Sequence, residues 1–211
     1  MMDNRNIKNP WEAIPLSDYE NHMQLDSVMQ LQAMNRMMKR QFCSCAAKSA
    51  MVLGVAGGNG LEHAASCGFE RVYGVDINRE YLQRCGERYP DLNGVLECVC
   101  ADLTSPDTVL PHADLLIANL LIEYIGYDCF CRTVAQVRPQ FVSCIIQINT
   151  DNSFVSDSPY LHVFDGLESV HHQMSENGLT AAMQAVGYHL SGTTEAPLPN
   201  GKKLVQMDFV L

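Results

Sequence analysis

No uninterrupted apolar run in this chain approaches the roughly 20 residues needed to cross a bilayer. The opening stretch, Met1 to Pro10, is polar and lacks the apolar core of a secretory signal. No membrane partner is expected, and the expected compartment is cytoplasmic. Basic residues are scarce: 14 Lys and Arg stand against 24 Asp and Glu, a formal net charge of -10. Nucleic-acid affinity depends largely on Lys and Arg displacing counterions from phosphates, so no nucleic-acid partner is expected either. Internal repeats and low-complexity tracts are also missing. With 211 residues, 47% hydrophobic and 18% charged, the chain can bury one sizeable core and does not demand two.

Cysteine, by contrast, is plentiful. There are nine, an odd count, and they include three Cys-x-Cys pairs: Cys43/Cys45, Cys98/Cys100 and Cys129/Cys131. Structural zinc sites usually space their ligands as Cys-x2-4-Cys and need two such arms. Cys-x-Cys in a strand merely places two small side chains on one face. The expectation is therefore no metal, and reduced, mostly buried thiols.

The first fifty residues read as helices. Ser17 and Glu20 have the spacing of a capping box, and Val28, Leu31, Met34, Met38 and Phe42 recur at helical intervals. From Met51 the pattern changes to short apolar runs alternating with amphipathic stretches. Met51–Val55, Arg71–Val75, Val95–Cys100, Asp114–Ala118 and Phe141–Ile148 are strand candidates joined by crossovers, which predicts a largely parallel sheet. Asn78 is placed to cap a helix over Arg79–Tyr89. A long polar connection, Asp151–Met174, suggests a functional loop. Ser175 then caps a helix that Gly187 ends, and a strand, turn and strand close the chain over Tyr188–Thr194 and Lys203–Leu211.

The chemistry concentrates where the first strand meets its helix, Val52-Leu-Gly-Val-Ala-Gly-Gly-Asn-Gly-Leu-Glu-His63. Glycines in such a turn let backbone N–H groups approach a ligand closely. Asp76 ends the second strand, where a carboxylate can accept hydrogen bonds from the hydroxyls of a ribose. Asp102 follows the third strand, on the same carboxyl edge where open α/β sheets bind ligands. A nicotinamide-dependent oxidoreductase is the first rival. The dinucleotide fingerprint wants Gly or Ala where this chain has His63, which counts against it.

Val52 to Gly60, Asp76, Asp102 and Ala113–Leu120 together resemble the successive motifs of class I S-adenosylmethionine-dependent methyltransferases. The resemblance covers roughly residues 51–211. It implies an α/β, Rossmann-like, seven-stranded, mostly parallel sheet with an antiparallel last strand and helices on both faces. Residues 1–48 would be an N-terminal helical extension or lid, and residues 49–211 the S-adenosylmethionine-binding domain. It also implies S-adenosylmethionine as cofactor, S-adenosylhomocysteine as product and a small-molecule methyl acceptor as partner. Ala56, Gly57, Gly58 and Gly60 would line the methionine part of the cofactor. Asp76, with Ile77 after it, would hold the ribose, and Asp102 with Leu103 would face the adenine. Asn119 and Leu120 would lie beside the transferred methyl, and Tyr19 would fold over the cofactor.

Methyl transfer from a sulfonium needs mainly alignment, and positioning lowers a barrier by roughly 7–11 kcal/mol. Where the acceptor must lose a proton, a general base adds about 10²–10⁴-fold. The candidates for that base are His22, Glu123, Tyr124, His171 and His172. Two departures from the family pattern matter, and the first is that the family usually has an acidic residue in the first strand and Gly where this chain has Gly54 and Ala56. That leaves open a methyltransferase-like protein that binds the cofactor, or a partner, without catalysis. Asn119-Leu-Leu-Ile122 also lacks the Asn-Pro-Pro-Tyr pattern of amino-group DNA methyltransferases.

Overall fold

The computed structural model describes residues 9–149 and 154–211. Two helices come first, α1 (Leu16–Gln24) and α2 (Gln30–Cys43). The expected stripe is present: Val28, Met34, Met38 and Phe42 are buried. The capping box at Ser17 is not. Helix α1 starts two residues earlier, with Pro15 as its N-cap, so Ser17 already lies inside the first turn and its hydroxyl reaches only the Asp18 carboxylate, at 3.4 Å. A capping box forms upstream instead, between Asn9 and Glu12, over a 3-10 turn at Pro10–Glu12.

Seven strands follow: β1 (Ser49–Leu53), β2 (Arg71–Asp76), β3 (Leu96–Cys100), β4 (Leu115–Asn119), β5 (Phe141–Ile148), β6 (His189–Pro197) and β7 (Lys203–Val210). They form one sheet in the order β3-β2-β1-β4-β5-β7-β6. The pairs among β1 to β5 are parallel, and β7 runs antiparallel to both β5 and β6. Helices α3 (Glu62–Ser66), α4 (Arg79–Arg88), α5 (Ile122–Val137) and α6 (Glu176–Ala185) complete the layers. As expected for a Rossmann-like methyltransferase fold, both faces are covered.

Period-two alternation along the central strands divides the core. Met51 and Leu53 point to the face packed by Phe130, Val134, Leu179 and Met183 of α5 and α6. Ala50 and Val52 point to the other face, against Phe42, Ala64 and Leu82 of α2, α3 and α4. The predicted caps hold: Asn78 accepts the Glu80 N–H at 3.0 Å, and Ser175 accepts the Gly178 N–H at 3.1 Å. Gly187 closes α6 at φ 94°. Part of the Asp151–Met174 connection, residues 151–153, lies outside the described residues. The remainder includes a 3-10 stretch, Leu161–Ser169, whose Phe164 and Leu167 pack on Ile14 near the start of the chain.

The cysteines depart from expectation in two ways. Cys43, ending α2, is bridged to Cys67, the C-cap of α3, with Cα atoms 5.6 Å apart. The packing of α2 against α3 brings together two residues 24 positions apart, which spacing along the chain does not reveal. Cys98 and Cys100 are exposed, because β3 is an edge strand covered less than its neighbours. Cys85, Cys129 and Cys144 are buried free thiols, as foreseen.

Candidate functional site

Parallel register sets the site. Leu53 lies beside Val75 and Ala118, and Asp76 beside Cys100, so strands β1 to β4 end along one edge. Beyond Leu53 the chain turns through Ala56, a non-glycine residue at φ 47°. Such a left-handed residue is strained by about 1–3 kcal/mol and needs outside support. Asp76 supplies it: its Oδ2 accepts the Ala56 N–H at 2.9 Å, while Oδ1 accepts the Asn78 N–H at 2.9 Å. Burial pushes the Asp76 carboxyl above its ordinary pKa, against the pull of the N–H groups of Asn78, Ala56 and Ile77.

The glycines of the loop face protein. A Cβ on Gly58, at φ 85°, would fall 2.7 Å from the Tyr89 ring and 2.8 Å from the Cys85 sulfur; one on Gly60 would fall 2.8 Å from the Met38 sulfur. These two positions let the loop lie flat on α4 and α2. Gly57 is closed off by Glu20 and Arg88. The Arg88 guanidinium donates to both Glu20 carboxylate oxygens, at 2.6 and 3.0 Å, and to the Gly57 carbonyl at 2.9 Å. Helix α1 is thereby tied to the glycine loop.

Two cavities open above this edge. The first, of about 700 Å³, is walled by Ala56, Asp76, Ile77, Asp102, Leu103 and Asn119. Asp76 and Asp102 therefore face one space, as expected, and Asp102 is held by the Thr104 N–H at 2.9 Å and the Thr104 hydroxyl at 2.6 Å. Gly58 and Gly60 do not line it; Gly57 borders a smaller cavity of about 400 Å³ beside Ala56, Asn59 and Asn119. The second large cavity, of about 610 Å³, contains His22, Gln30, Glu123, Gln147, Phe154 and His171 in its wall. Trp11, Tyr19, Leu120 and Tyr124 belong to both, as a partition. Its rings interlock edge to face, Trp11 on Tyr124 at 4.9 Å and on Tyr19 at 5.7 Å.

Four of the five proton-acceptor candidates wall the second cavity, and His172 does not. A kink at Gly126, φ 73°, separates the first turn of α5 from the rest of that helix. The Glu123 carbonyl accepts the His172 backbone N–H at 2.6 Å, leaving the His172 side chain exposed. Glu123 itself is 4% exposed; burial raises its carboxyl to about 7, although Oε1 accepts the Gln147 N–H at 2.9 Å. Burial and, less, Lys202 hold the His22 imidazole below its ordinary pKa, and its Nδ1 shares a 2.8 Å hydrogen bond with Ser158 Oγ. His171 is lowered by burial, then by His172 and Lys202, and stacks on Phe154 at 4.0 Å. Burial raises the Tyr124 phenol.

Asn119 lines the first cavity, but its amide is committed to Gln41 by a reciprocal pair of hydrogen bonds, both 2.9 Å. Gln41 also donates to Ser143 Oγ at 3.0 Å, and Ser143 donates to Asp208 on β7. Reading along the chain missed this network, although a fully buried Gln41 beside Phe42 in an apolar stripe is its trace. It also missed Trp11, Gln30, Gln147, Phe154 and Phe164, whose roles come from packing between distant segments. Among the described residues, no three His, Cys, Asp or Glu side chains are grouped to hold a metal ion, and no helix is long and apolar enough to cross a membrane.

Residues 51–139, from β1 through α5, match the family model of a methyltransferase domain. They belong to a sheet with the Rossmann-like methyltransferase fold. The match contains Ala56, Asp76, Asp102 and Asn119, four residues of the first cavity's wall, and the cofactor of such domains is S-adenosylmethionine. No curated protein matches the chain in sequence. Among solved structures it is similar to the N-methyltransferase NodS from Bradyrhizobium japonicum WM9, in complex with S-adenosylhomocysteine. That match has a TM-score of 0.66 and 12% identity, over 92% of this chain and 97% of that one. The methyltransferase domain of bacterial CtHen1-C gives a TM-score of 0.62 and 16% identity, over 93% and 99%. The [4+2]-cyclase SpnF gives 0.64 and 8%, over 85% and 82%. At these identities the likeness is one of fold, and the cyclase among them illustrates that one fold hosts different chemistries.

Proposed function

We propose that the chain is an S-adenosylmethionine-dependent methyltransferase acting on a small molecule, with the cofactor in the first cavity and the acceptor in the second. The observation that carries this reading is the partition: Trp11, Tyr19, Leu120 and Tyr124 border both cavities. The first cavity fits the cofactor on its own terms. Each Asp76 oxygen spends one lone pair on a backbone N–H and keeps another for a ribose hydroxyl. Trp11 lines the same space, and its buried Nε1–H has no acceptor among the described residues, as a donor awaiting a ligand would. Asp102 and Leu103 flank the position of the base, and Ala56 and Asn119 border both this cavity and the smaller one, which would take the methionine end.

When bound, S-adenosylmethionine supplies an electrophilic methyl on a positive sulfur, with the carbon–sulfur bond pair returning to sulfur as the acceptor's lone pair takes the carbon. The chain's contribution is placement and exclusion of water. Helix α1 and the Pro10–Glu12 turn lie over the site: the Tyr81 hydroxyl donates to the Ile14 carbonyl at 2.8 Å, and Asn78 Nδ2 donates to the Trp11 carbonyl at 3.0 Å. In this reading, residues 9–48 serve as a lid over the domain at 49–211. His22, Glu123, Tyr124 and His171 are the proton acceptors within reach of the second cavity.

Labelled S-adenosylmethionine incubated with the purified protein and metabolite pools tests the reading: label should move to a small molecule. The second reading, cofactor binding without transfer, is favoured by the strained Ala56 and by a first strand without an acidic residue. Tight S-adenosylhomocysteine binding with label moving to no acceptor would establish it.

A further inference from the structure

The wall of the second cavity includes one carboxylic side chain, Glu123. Glu123 is almost fully buried, and among the described residues its Oε2 meets no hydrogen-bond donor. An unpaired buried carboxylate oxygen is costly, so native structures usually match it with a cation or a donor. The wall of this cavity contains no Lys or Arg among the described residues. Lys202 acts on His22 and His171 without forming part of that wall. The rest is largely aromatic: Trp11, Tyr19, Tyr124, Phe154 and Phe164 present rings to the space. Ring faces carry negative charge density and attract cations, most strongly where water is excluded. One carboxylate and several rings in the wall, with Lys202 outside it, make a poorer receptor for an anion than for a cation.

We infer that the second cavity takes a compact amine as methyl acceptor, bound as its ammonium against Glu123 Oε2 and among the surrounding rings. This rests on the reading that the adjoining cavity holds S-adenosylmethionine. An ammonium has no lone pair and cannot attack carbon, so Glu123 has a second task. The N–H bond breaks with its electron pair left on nitrogen, and the proton forms an O–H bond at Oε2. A carboxyl held near 7 is well matched to accept and later release that proton close to neutrality. The Gln147 N–H on Oε1 holds the carboxyl plane throughout.

The test is a ligand-observed NMR titration of the full chain, with and without saturating S-adenosylhomocysteine. The probes are benzylamine and 2-phenylethylamine, set against the neutral 2-phenylethanol and the anionic phenylacetate. The amines should bind at least about tenfold tighter than either comparison, and Glu123→Gln should erase that preference. S-adenosylhomocysteine affinity, measured by calorimetry on the same samples, should survive the substitution, because Glu123 does not line the cofactor cavity. Equal binding of the three charge types, preference for phenylacetate, no amine binding, or a preference that persists in Glu123→Gln would each overturn the inference. Failure of the wild-type protein to bind S-adenosylhomocysteine would instead sink the cofactor reading, and the amine titration without it still decides the charge preference.

Discussion

The two cavities share four walls and are built on opposite principles. The first stands on strand ends. Asp76, Asp102 and Asn119 come from three strands or the turns after them, and each is held by the chain's own groups: Ala56 and Asn78, Thr104, and Gln41. The second is assembled from α1, the first turn of α5, the end of β5 and the long connection, and among the described residues it leaves Glu123 Oε2 unmatched. A site on a rigid sheet edge is complete before its ligand arrives. A site made from loops and helix ends keeps an unsatisfied group that a ligand can complete, and so carries the specificity.

Four measurements would break or sharpen this contrast. The largest effect concerns the unmatched carboxyl. Its folded-state pKa is raised from 4.5 to about 7, so the folded protein holds a proton that the unfolded chain releases above 4.5. The associated stability is present below the unfolded value and is lost as pH climbs from 4.5 through 7, on the order of 3 kcal/mol. Chemical denaturation across that window should show the decline in wild type and a flatter profile in Glu123→Gln; parallel profiles would show that the carboxyl is not perturbed by burial.

Next comes the cofactor wall. Asp76→Ala should weaken S-adenosylhomocysteine binding at least tenfold by calorimetry, through lost charge-assisted hydrogen bonds of roughly 1.5–3 kcal/mol. Unchanged affinity would move the ribose elsewhere. A glycine of the loop gives a comparable loss in stability, not affinity. Gly58→Ala combines a left-handed φ with collisions at Tyr89 and Cys85 and should cost about 1–3 kcal/mol in thermal or denaturant unfolding. A neutral result would mean the loop moves freely off α4. The smallest effect belongs to the tether of the lid. Arg88→Ala removes a partly exposed ion pair with Glu20, worth roughly 0–1 kcal/mol, and should loosen cofactor binding only two- to threefold, about half a kcal/mol or so in free energy. A loss as large as that of Asp76→Ala would make the tether part of the binding site.

The same contrast explains what could be read in advance. The wall of the first cavity is local in sequence: a glycine-rich turn, an acidic residue at the end of β2 and another after β3 come in chain order, each next to the strand that positions it. Short apolar runs located five strands within a few residues, since burial on both faces leaves the same imprint wherever it occurs. The wall of the second cavity has no such imprint. His22 and Ser158 are 136 positions apart, and Gln30 and Gln147 are 117 apart. Glu123 was a visible candidate, but nothing in its neighbours along the chain marks it as buried and half-paired. His172 was an equally visible candidate and points to solvent, because the Gly126 kink leaves the Glu123 carbonyl to its backbone N–H.

By itself, the order of residues determined the strand-and-helix alternation, the antiparallel seventh strand, the caps at Asn78 and Ser175, and the pairing of Asp76 with Asp102 at one edge. These depend on periodicities and spacings of a few residues, which physics reads locally. Only the tertiary structure decided which glycines serve packing, that Asn119 is spoken for by Gln41, that Cys43 meets Cys67, and that one carboxylate is stranded behind an aromatic partition. Each of those is a matter of which distant surfaces meet, and burial of a charge or closure of a cavity exists only once they have met.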